Sequence, residues 1–267
     1  MTDVKSSFGG SMPEHYDRHL GPAQFGPFAA FLAGRLPVRP PGDVLEIACG
    51  TGLVTRRLRE RLDAGVRLVA SDLSKGMLDY ARAALSADAR VEWREADAMR
   101  LPFADGEFGA AVCGFGLMFV PDKPAALREV HRVLRDGGLF LLSVWDRIEA
   151  IPHAMAGAEV IEGLFPGDPE MRFRVPYELH DQEHLRQLLE GAGFRDVRSE
   201  RRLHTIEGIG ARDLATGQIR GTPRSALIEK RGVALETVIE RLAGRLASVG
   251  GDPFRGPVSG FIVEARR

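Results

Sequence analysis

The sequence predicts an α/β fold with a doubly wound, mostly parallel sheet, and three observations lead to this prediction. From Asp43 onward, short apolar runs rich in β-branched residues alternate with longer runs of helical periodicity. A glycine-rich turn, Gly50-Thr51-Gly52, connects the first apolar run to the first helical run. With 267 residues, 44% of them hydrophobic, the chain can bury a full core and fits one large domain better than two. The alternation therefore predicts βαβ units with right-handed crossovers, which form a Rossmann-like core.

Five strands and three helices make up this predicted core. The predicted strands are residues 44–48, 67–72, 90–95, 108–113 and 139–145. The predicted helices between them are residues 53–62, 75–85 and 123–134. The run Asp136-Gly137-Gly138 favours an end of the third helix, because glycine readily takes the left-handed conformation that closes helices.

The pattern changes after the fifth strand. Four prolines within residues 147–180 predict an irregular insertion that covers the sheet. The elements predicted after it are a helix capped by Asp181, a strand, a helical region and a closing strand, at residues 182–192, 196–206, 210–250 and 258–265.

The predicted domain organisation follows from these elements. An N-terminal segment, residues 1–41, contains a loop and one helix over residues 25–36. The main domain is residues 42–267, with insertions at about 147–180 and 207–255. We expect the chain to form a single structural domain overall.

Composition and charge exclude several classes of function. The formal net charge is only -1, and Lys and Arg are scattered along the chain, so the basic stripe that binds a phosphate backbone is not predicted. The opening residues MTDVKSSFGGSM lack the apolar stretch of a signal peptide, and no apolar run approaches the ~18 residues of a membrane span. The sequence therefore predicts a cytoplasmic protein that does not bind nucleic acid.

Neither cysteine nor histidine spacing predicts a metal site or a disulfide. Cys49 and Cys113 each fall at the end of a predicted strand, where a buried thiol behaves as a small hydrophobic group. The run from His180 to His184 matches the H-x-x-E-H pattern of a zinc peptidase family. However, His180 precedes the predicted helix cap Asp181, so the two histidines need not share a helical face, and no third ligand is evident.

The glycine-rich turn is the most informative local signal for a ligand. Glycines let a ligand approach the backbone closely, and the first βα turn of such a sheet faces the crevice where nucleotides bind. A dinucleotide-binding loop has glycine or alanine at its third motif position, whereas here Thr55 occupies it. S-adenosylmethionine has no phosphate but has an amino group, which Glu46 at the end of the first strand could attract directly or through water.

Two further carboxylates follow successive strands. Asp72 ends the second strand, where a carboxylate can accept hydrogen bonds from both ribose hydroxyls. Asp97 follows the third strand and could accept from an adenine amino group. Each aspartate alone is equally typical of a turn or a helix cap. Together with the glycine turn, these carboxylates at three successive strand ends favour a site for an adenosyl ligand.

These residues lie in stretches that resemble the class I S-adenosylmethionine-dependent methyltransferases, and more closely the ubiquinone/menaquinone (methyltransferase type 11) group. The matching stretches are VLEIACGTG at 44–52, SDLSKGMLDYAR at 71–82, EADAMRLPFADGEFGAAVCGFGLMFVPD at 95–122 and ALREVHRVLRDGGLFLLSVW at 126–145. The resemblance implies a seven-stranded sheet with an antiparallel last strand. It also implies S-adenosylmethionine bound across the carboxyl ends of the strands.

Residue by residue, the resemblance implies a set of cofactor contacts. They are Tyr16, Glu46, Ala48, Gly50, Gly52, Asp72, Leu73, Met77, Asp97, Ala98, Cys113, Gly114 and Phe115. Of these, Gly50 and Gly52 are expected to line the methionine part of the cofactor. Asp72 and Leu73 are expected to bind its ribose.

The other implied contacts concern the adenine and the fourth strand. Met77 is expected near the adenine, and Asp97 with Ala98 is expected to bind it. Residues 113–115 are expected beside the cofactor. Two positions depart from the family pattern, since Ala48 stands where glycine is usual and Glu46 where aspartate is commoner.

The segment Tyr16-Asp17-Arg18-His19 resembles the short lid that folds over the cofactor in this group, with Tyr16 as the candidate contact. Methyl transfer from a sulfonium is an in-line displacement, so positioning and exclusion of water can suffice without a catalytic base. If an oxygen or carbon acceptor needs a base, the candidates by position are His15, His19 and His153.

The acceptor is expected to be an apolar or aromatic small molecule. The cover predicted over 147–180 and the helices over 210–250 are mostly apolar, and four large side chains at strand ends could line an acceptor pocket or belong to the core: Phe115, Met118, Phe119 and Trp145. The fourth strand ends in Gly-Phe-Gly-Leu-Met-Phe and lacks the Asn-Pro-Pro-Tyr type of motif found in methyltransferases that act on nucleobases or protein amides. The sequence does not distinguish oxygen, nitrogen and carbon acceptors, and it leaves the oligomeric state open.

Two other functions remain open at this point. One is a nicotinamide-dependent oxidoreductase, which Thr55 and Asp97 argue against. The other is a methyltransferase relative that binds the cofactor without catalysis. The intact glycines and carboxylates predict binding and say nothing about turnover.

Overall fold

The computed structural model describes residues 10–85 and 90–267, and a seven-stranded sheet forms its centre. The strands are β1 (Asp43–Ile47), β2 (Leu68–Asp72), β3 (Val91–Glu95), β4 (Phe108–Gly114), β5 (Leu134–Trp145), β6 (Arg195–Ile209) and β7 (Phe254–Arg266). Their order across the sheet is β3-β2-β1-β4-β5-β7-β6. The first five strands pair in parallel, and β7 runs antiparallel between β5 and β6. The predicted Rossmann-like sheet with an antiparallel last strand is confirmed.

Ten α-helices lie in the described part of the chain. They are α1 (Met12–His15), α2 (Gly26–Gly34), α3 (Leu53–Arg61), α4 (Lys75–Ala84), α5 (Lys123–Val133), α6 (Pro152–Leu164), α7 (Gln182–Gly191), α8 (Ala211–Arg220), α9 (Arg224–Lys230) and α10 (Leu235–Gly250). A π-helical stretch, Tyr16–Phe25, joins α1 to α2. Within the described residues, no helix is both long and apolar enough to cross a bilayer.

The central strands are apolar on both faces because helices cover both sides of the sheet. Val44 and Leu45 of β1 pair with Ala110 and Ala111 of β4, and all four are fully buried. This pairing fixes the carboxyl ends of β1 and β4 side by side. The turns that follow these strands therefore meet at one edge of the core, which positions the site described below.

The third predicted helix is followed by a different structure from the one expected. Helix α5 ends at Val133, and β5 begins at once with Leu134, which pairs with Phe108. The Asp136-Gly137-Gly138 run thus lies within β5 and does not close the helix. Gly137 has a φ of 73°, and the register between β4 and β5 shifts there, so the glycines accommodate an irregularity in the strand.

Two predictions for the flanking segments were wrong. The N-terminal segment is helical from Met12 onward and not only over residues 25–36, although Gly21 and Pro22 are residues that usually break helices. Pro22 lies inside the π-helical stretch, which packs against α8, so tertiary contacts override the local signal.

The insertion at 147–180 is also more regular than predicted, because it contains the 13-residue helix α6. Its Pro152 is the first residue of the helix, where the missing N–H costs no hydrogen bond. Only the later part of the insertion is irregular, with short 3₁₀ turns at Pro169–Met171 and Val175–Tyr177.

The N-terminal segment and the insertions pack together above the carboxyl edge of the sheet. Helix α10 packs against α6 and α8, and α8 contacts the π-helical stretch. The turn Val175–Tyr177 contacts both β5 and the turn Leu117–Phe119 that follows β4. These elements form the cover over the strand ends.

Candidate active site

The turn after β1 has a backbone shape that favours glycine. Ala48 and Gly50 both have a φ of 54°, and Gly52 has a φ of 83°. A Cβ at Gly52 would lie 2.8 Å from Cδ1 of Leu85. Both this contact and the positive φ therefore disfavour any residue other than glycine at position 52. A Cβ at Gly50 would meet no atom within 4 Å, so the backbone there is open to a ligand. Ala48 adopts the left-handed conformation at a cost that glycine would not have.

Asp72, at the end of β2, is bonded directly to this turn. Its Oδ2 accepts a hydrogen bond of 2.9 Å from the Gly50 N–H, and its Oδ1 accepts one of 2.8 Å from the Ser74 N–H. Burial raises the pKa of the Asp72 carboxyl, and these N–H donors oppose that rise. The carboxylate thus holds the glycine turn in place and lies where the sequence analysis expected a ribose ligand.

Glu46 lies beneath the same turn and is the most unusual carboxyl group of the site. Only 1% of Glu46 is exposed, and burial raises its pKa to about 8, although the neighbouring Thr55 opposes the rise. Its Oε2 has no hydrogen-bond partner among the described residues. A buried acceptor of this kind is costly unless a donor or a cation pairs with it, so Glu46 fits the ammonium group of a ligand.

The ends of β2 and β3 are joined to each other. The Ala96 N–H donates to the Asp72 carbonyl oxygen at 3.0 Å. Asp97 is partly buried, and its Oδ1 accepts a hydrogen bond of 2.9 Å from the Met99 N–H. Asp97 therefore closes a local turn with one oxygen, as the alternative interpretation expected, and stands next to the strand end that carries Asp72.

The other predicted contacts near the second and third strands are distributed between core and surface. Met77 is buried in the first turn of α4, where its N–H donates to Ser74 Oγ. Leu73 and Ala98 are partly exposed at the strand ends. These three uncharged residues lie at the ends of β2 and β3 and at the start of α4.

The end of β4 completes the group of strand ends. Cys113 and Phe115 are buried, and a Cβ at Gly114 would lie 2.7 Å from Cγ2 of Val54 at the start of α3. Cys49 and Cys113 are free thiols whose pKa values are raised by burial, so neither is an activated nucleophile. The structure thus brings the predicted residues of four strands to one edge of the sheet.

The N-terminal segment is fastened over the glycine turn through Asp17. Its Oδ1 accepts from the Thr51 hydroxyl at 3.5 Å, and its Oδ2 accepts from the Tyr80 hydroxyl at 3.2 Å. The sequence analysis missed these three residues. Asp17 is adjacent to the singled-out Tyr16, but its partners lie 34 and 63 residues away, and no local pattern indicates such pairs.

Tyr16 itself lies under the cover. Its ring stacks on that of Phe25 with 4.8 Å between centroids. Burial raises the pKa of its phenol, and the nearby charge of Asp72 and the phenol of Tyr177 act in the same direction. Tyr16 is therefore close to both the strand end that carries Asp72 and the insertion that carries Tyr177.

An aromatic cluster continues from Tyr16 and Phe25 to the ends of β4 and β5. Phe115 and Trp145 are stacked, with ring centroids 3.7 Å apart and 16° between planes. Phe25 packs against both, at 5.6 Å and 5.4 Å, and Tyr177 lies 6.4 Å from Trp145. The cluster places aromatic rings from the N-terminal segment, the sheet and the insertion together at the carboxyl ends of β4 and β5.

Two of the four side chains suggested for an acceptor pocket are outside this cluster. Met118 is buried in the core after β4, and 51% of Phe119 is exposed to solvent. The short 3₁₀ turn that carries them directs Phe119 outward, which a strand-end assignment cannot foresee.

The three candidate histidines are in different surroundings. His15 and His19 stack on each other at 5.8 Å, and Nδ1 of His19 is 3.6 Å from the Asp213 carboxylate. His153 is buried in α6, with Nε2 3.2 Å from Oε1 of Gln24. Burial lowers the pKa of His153 to about 3, so its ring is neutral at physiological pH.

The H-x-x-E-H run does not form a metal site. Nδ1 of His180 lies 2.9 Å from the Tyr177 carbonyl oxygen, ahead of the helix that Asp181 caps, whereas His184 lies within that helix. Across residues 10–85 and 90–267, no three His, Cys, Asp or Glu side chains are grouped so that they could hold a metal ion.

Comparisons with known proteins give a consistent result. The family model described as "Methyltransferase domain" matches residues 45–142. The demethylmenaquinone methyltransferase of Corynebacterium kroppenstedtii is 30% identical over 174 residues, which cover 61% of this chain and 72% of the relative. A ubiquinone/menaquinone biosynthesis C-methyltransferase, UbiE, of Klebsiella pneumoniae is 31% identical over 60% of this chain and 69% of its own length.

A solved structure shares the fold. The Haemonchus contortus phosphoethanolamine N-methyltransferase 2, determined with phosphomonomethylethanolamine and S-adenosylhomocysteine, superposes with a TM-score of 0.61 at 17% identity. The superposition covers 96% of this chain and 56% of that chain. At this identity the likeness concerns the fold alone.

Proposed function

The chain belongs to the S-adenosylmethionine-dependent methyltransferases of the ubiquinone/menaquinone type, and from that premise we propose that it methylates an aromatic ring of the quinone type. It is an enzyme that transfers a methyl group from S-adenosylmethionine to a small molecule. The oxidoreductase and non-catalytic alternatives gain no support from the relatives. The acceptor, the residue roles and the order of events in the site are our proposals.

The residues present fit the cofactor. We propose that Glu46, which has a buried oxygen without a partner, pairs with the amino group of the methionine part. The open backbone at Gly50 admits that part, and Asp72 accepts from the ribose. One oxygen of Asp97 accepts from the Met99 N–H, and its carboxylate would also accept a hydrogen bond from the adenine amino group.

When bound, S-adenosylmethionine supplies an electrophilic methyl group on a sulfonium. The contribution of this chain is then to position the acceptor and to exclude water. Asp17 fastens the lid to Thr51 and Tyr80, which keeps the lid over the glycine turn. Neither His153 nor His19 is placed as an evident base, since the low pKa of His153 makes it a weak base whose Nε2 is bonded to Gln24, and His19 faces Asp213.

The aromatic cluster is the observation that supports an aromatic acceptor. Flat ring systems favour stacked or edge-to-face contacts with aromatic side chains, each worth roughly 0.5–1.5 kcal/mol beyond the buried area. Phe25, Phe115, Trp145 and Tyr177 provide such surfaces beside the cofactor residues. A quinone-type ring entering here would replace contacts that the side chains now make with one another, which requires the lid to move.

The test is transfer of a labelled methyl group. Purified protein is incubated with methyl-labelled S-adenosylmethionine and either a reduced 1,4-naphthoquinone or an aliphatic amine of similar size, and the product is located by mass spectrometry and NMR. We expect label in the aromatic compound only. The Asp79→Asn variant, with a change on the exposed face of α4, serves as a control that retains transfer. Label in the amine and none in the ring compound would contradict the proposal.

A further inference from the structure

Arg224 is a cation with few partners inside the cover. Its guanidinium lies 4.0 Å from the ring centre of Phe173. Nη2 donates to the Phe173 carbonyl oxygen at 3.3 Å, and Nη1 donates to Thr222 Oγ1 at the long distance of 3.5 Å. A guanidinium has five N–H donors, so most of the hydrogen-bonding capacity of Arg224 is unused.

No carboxylate of the described residues forms an ion pair with Arg224. The carboxylate whose charge acts on it is Glu162, whose oxygens accept instead from the Phe173 N–H and from Arg174 Nε. Arg231, the residue that follows α9, shows the contrast because Asp168 and Glu170 both pair with it. Burial lowers the pKa of Arg224 to about 10 although the residue remains partly exposed, which fits a cation in the cover that has no ion pair.

The position of Arg224 connects this charge with the proposed acceptor site. Phe173, whose ring and carbonyl oxygen Arg224 contacts, lies two residues before the turn Val175–Tyr177. Burial raises the pKa of Tyr177 and the charge of Arg224 opposes that rise, which agrees with a guanidinium near this phenol. The ring centre of Tyr177 in turn lies 6.4 Å from that of Trp145, and its phenol contributes to the raised pKa of Tyr16. Arg224 therefore stands behind the aromatic cluster, on the side of the cover.

Two buried polar atoms without hydrogen-bond partners lie in the same part of the cover. Oε1 of Gln218 and Nδ1 of His153 are buried and have no hydrogen-bond partner within the described residues. A Cβ on Gly157 would lie 2.6 Å from that Gln218 oxygen and 2.4 Å from Cζ of Phe173, the ring that Arg224 covers. Buried polar atoms without partners are rare in native proteins, and a group of them next to an unpaired cation indicates a site for a polar ligand.

We propose that Arg224 binds an anionic oxygen on the methyl acceptor, and that it thereby selects acidic aromatic acceptors over neutral ones. This inference rests on the proposed aromatic acceptor. The anionic oxygen is either a carboxylate or an ionised ring hydroxyl, and in both cases the planar guanidinium provides two parallel N–H donors.

The experiment compares acidic and neutral probes on the protein saturated with S-adenosylhomocysteine. Dissociation constants are measured for 1-hydroxy-2-naphthoate, for 2,4-dinitro-1-naphtholate and for the neutral 1-hydroxy-2-naphthamide. The proteins are the wild type, Arg224→Met, Arg224→Lys and Arg241→Met. The last variant removes an exposed arginine of α10 and causes the same change in net charge.

We expect the wild type to bind at least one anionic probe about tenfold more tightly than the amide, which is the size of effect that a charged hydrogen bond gives. Arg224→Met should abolish that preference, Arg224→Lys should retain part of it, and Arg241→Met should leave it intact. The anion that the wild type prefers shows whether Arg224 binds a carboxylate or an ionised ring hydroxyl. The affinity for S-adenosylhomocysteine and the melting temperature report whether the Arg224 variants are folded.

A wild type without preference for either anion, or a preference that survives in Arg224→Met, overturns the inference. The proposed function is tested separately by methyl transfer to neutral and acidic rings. Equal methylation of both would agree with an aromatic acceptor and would contradict the selective role proposed for Arg224. Absence of methylation of every aromatic ring would instead refute the proposed acceptor class.

Discussion

Asp17 and Tyr80 are 63 residues apart in the chain, and a hydrogen bond of 3.2 Å from the Tyr80 hydroxyl to Oδ2 of Asp17 fastens the N-terminal segment to α4. The same carboxylate accepts from Thr51 in the glycine turn. One carboxylate thus joins the N-terminal segment to both the glycine turn and α4. If this segment is the proposed lid, its position and that of the turn are linked through Asp17.

The first prediction concerns this contact. Tyr80→Phe removes only the hydroxyl, and Asp17→Asn weakens both hydrogen bonds, so each variant should lower affinity for S-adenosylhomocysteine by about two- to tenfold. Amide hydrogen exchange over residues 12–25 should become faster. Glu14→Gln, a change at an exposed site on the same segment, is the matched control. Unchanged affinity and exchange in both variants would mean that Asp17 does not hold the lid.

The second prediction concerns Asp72. Asp72→Asn keeps the shape of the side chain but replaces an oxygen that accepts from the Gly50 N–H or the Ser74 N–H and removes the charge proposed to bind ribose. Affinity for S-adenosylhomocysteine should fall by about ten- to a hundredfold, as expected for loss of hydrogen bonds to a charged group. Calorimetric titration measures this directly, and Asp79→Asn on α4 should bind normally. Normal binding by Asp72→Asn would remove Asp72 from the site.

The third prediction concerns the backbone at Ala48. Its φ of 54° costs an L-residue about 1–2 kcal/mol, whereas glycine adopts it freely but loses about 0.5–1 kcal/mol through the entropy of the unfolded chain. Ala48→Gly should therefore leave the free energy of unfolding unchanged or raise it by up to about 1.5 kcal/mol. Ala243→Gly, within α10, should lower it by about 1 kcal/mol. Chemical denaturation measures both changes. A clear loss of stability in Ala48→Gly would contradict the backbone strain inferred at Ala48.

The fourth prediction concerns pH. Burial raises the pKa of Glu46 from 4.5 to about 8, so the folded protein without ligand holds a proton that the unfolded chain releases. The contribution of Glu46 to stability is then fully present below pH 4.5 and is lost as the pH rises toward 8. In Glu46→Gln this loss is absent.

The measurement is the melting temperature of wild type and Glu46→Gln from pH 5 to pH 9. The difference between the two should shift in favour of the variant as the pH rises. A difference that is constant with pH would show that the Glu46 carboxyl titrates normally. The variant should also bind S-adenosylhomocysteine more weakly, since it lacks the carboxylate proposed to pair with the amino group.

Much of the site was predictable because it is encoded locally. Glu46, Gly50, Asp72 and Asp97 follow or end short apolar runs, and parallel pairing necessarily brings such positions to one edge of the sheet. The seven-stranded sheet with an antiparallel last strand was implied by the family resemblance and was confirmed.

The residues that escaped prediction are those placed by long-range packing. Asp17 meets Tyr80, and Arg224 meets Phe173, through contacts that no spacing in the sequence encodes. The helical N-terminal segment was missed for the same reason, because its Pro22 is a local signal against helix that packing on α8 overrides. Pro152 was misread because a proline suits the first turn of a helix as well as a loop.

The central claim is that the carboxyl ends of β1, β2 and β3 form a site for S-adenosylmethionine. Calorimetric titration of the purified protein with S-adenosylhomocysteine, with NAD in a parallel titration, tests it most directly. We predict binding of one S-adenosylhomocysteine per chain in the micromolar range and no heat with NAD. Binding of NAD without binding of S-adenosylhomocysteine would contradict the account of the site.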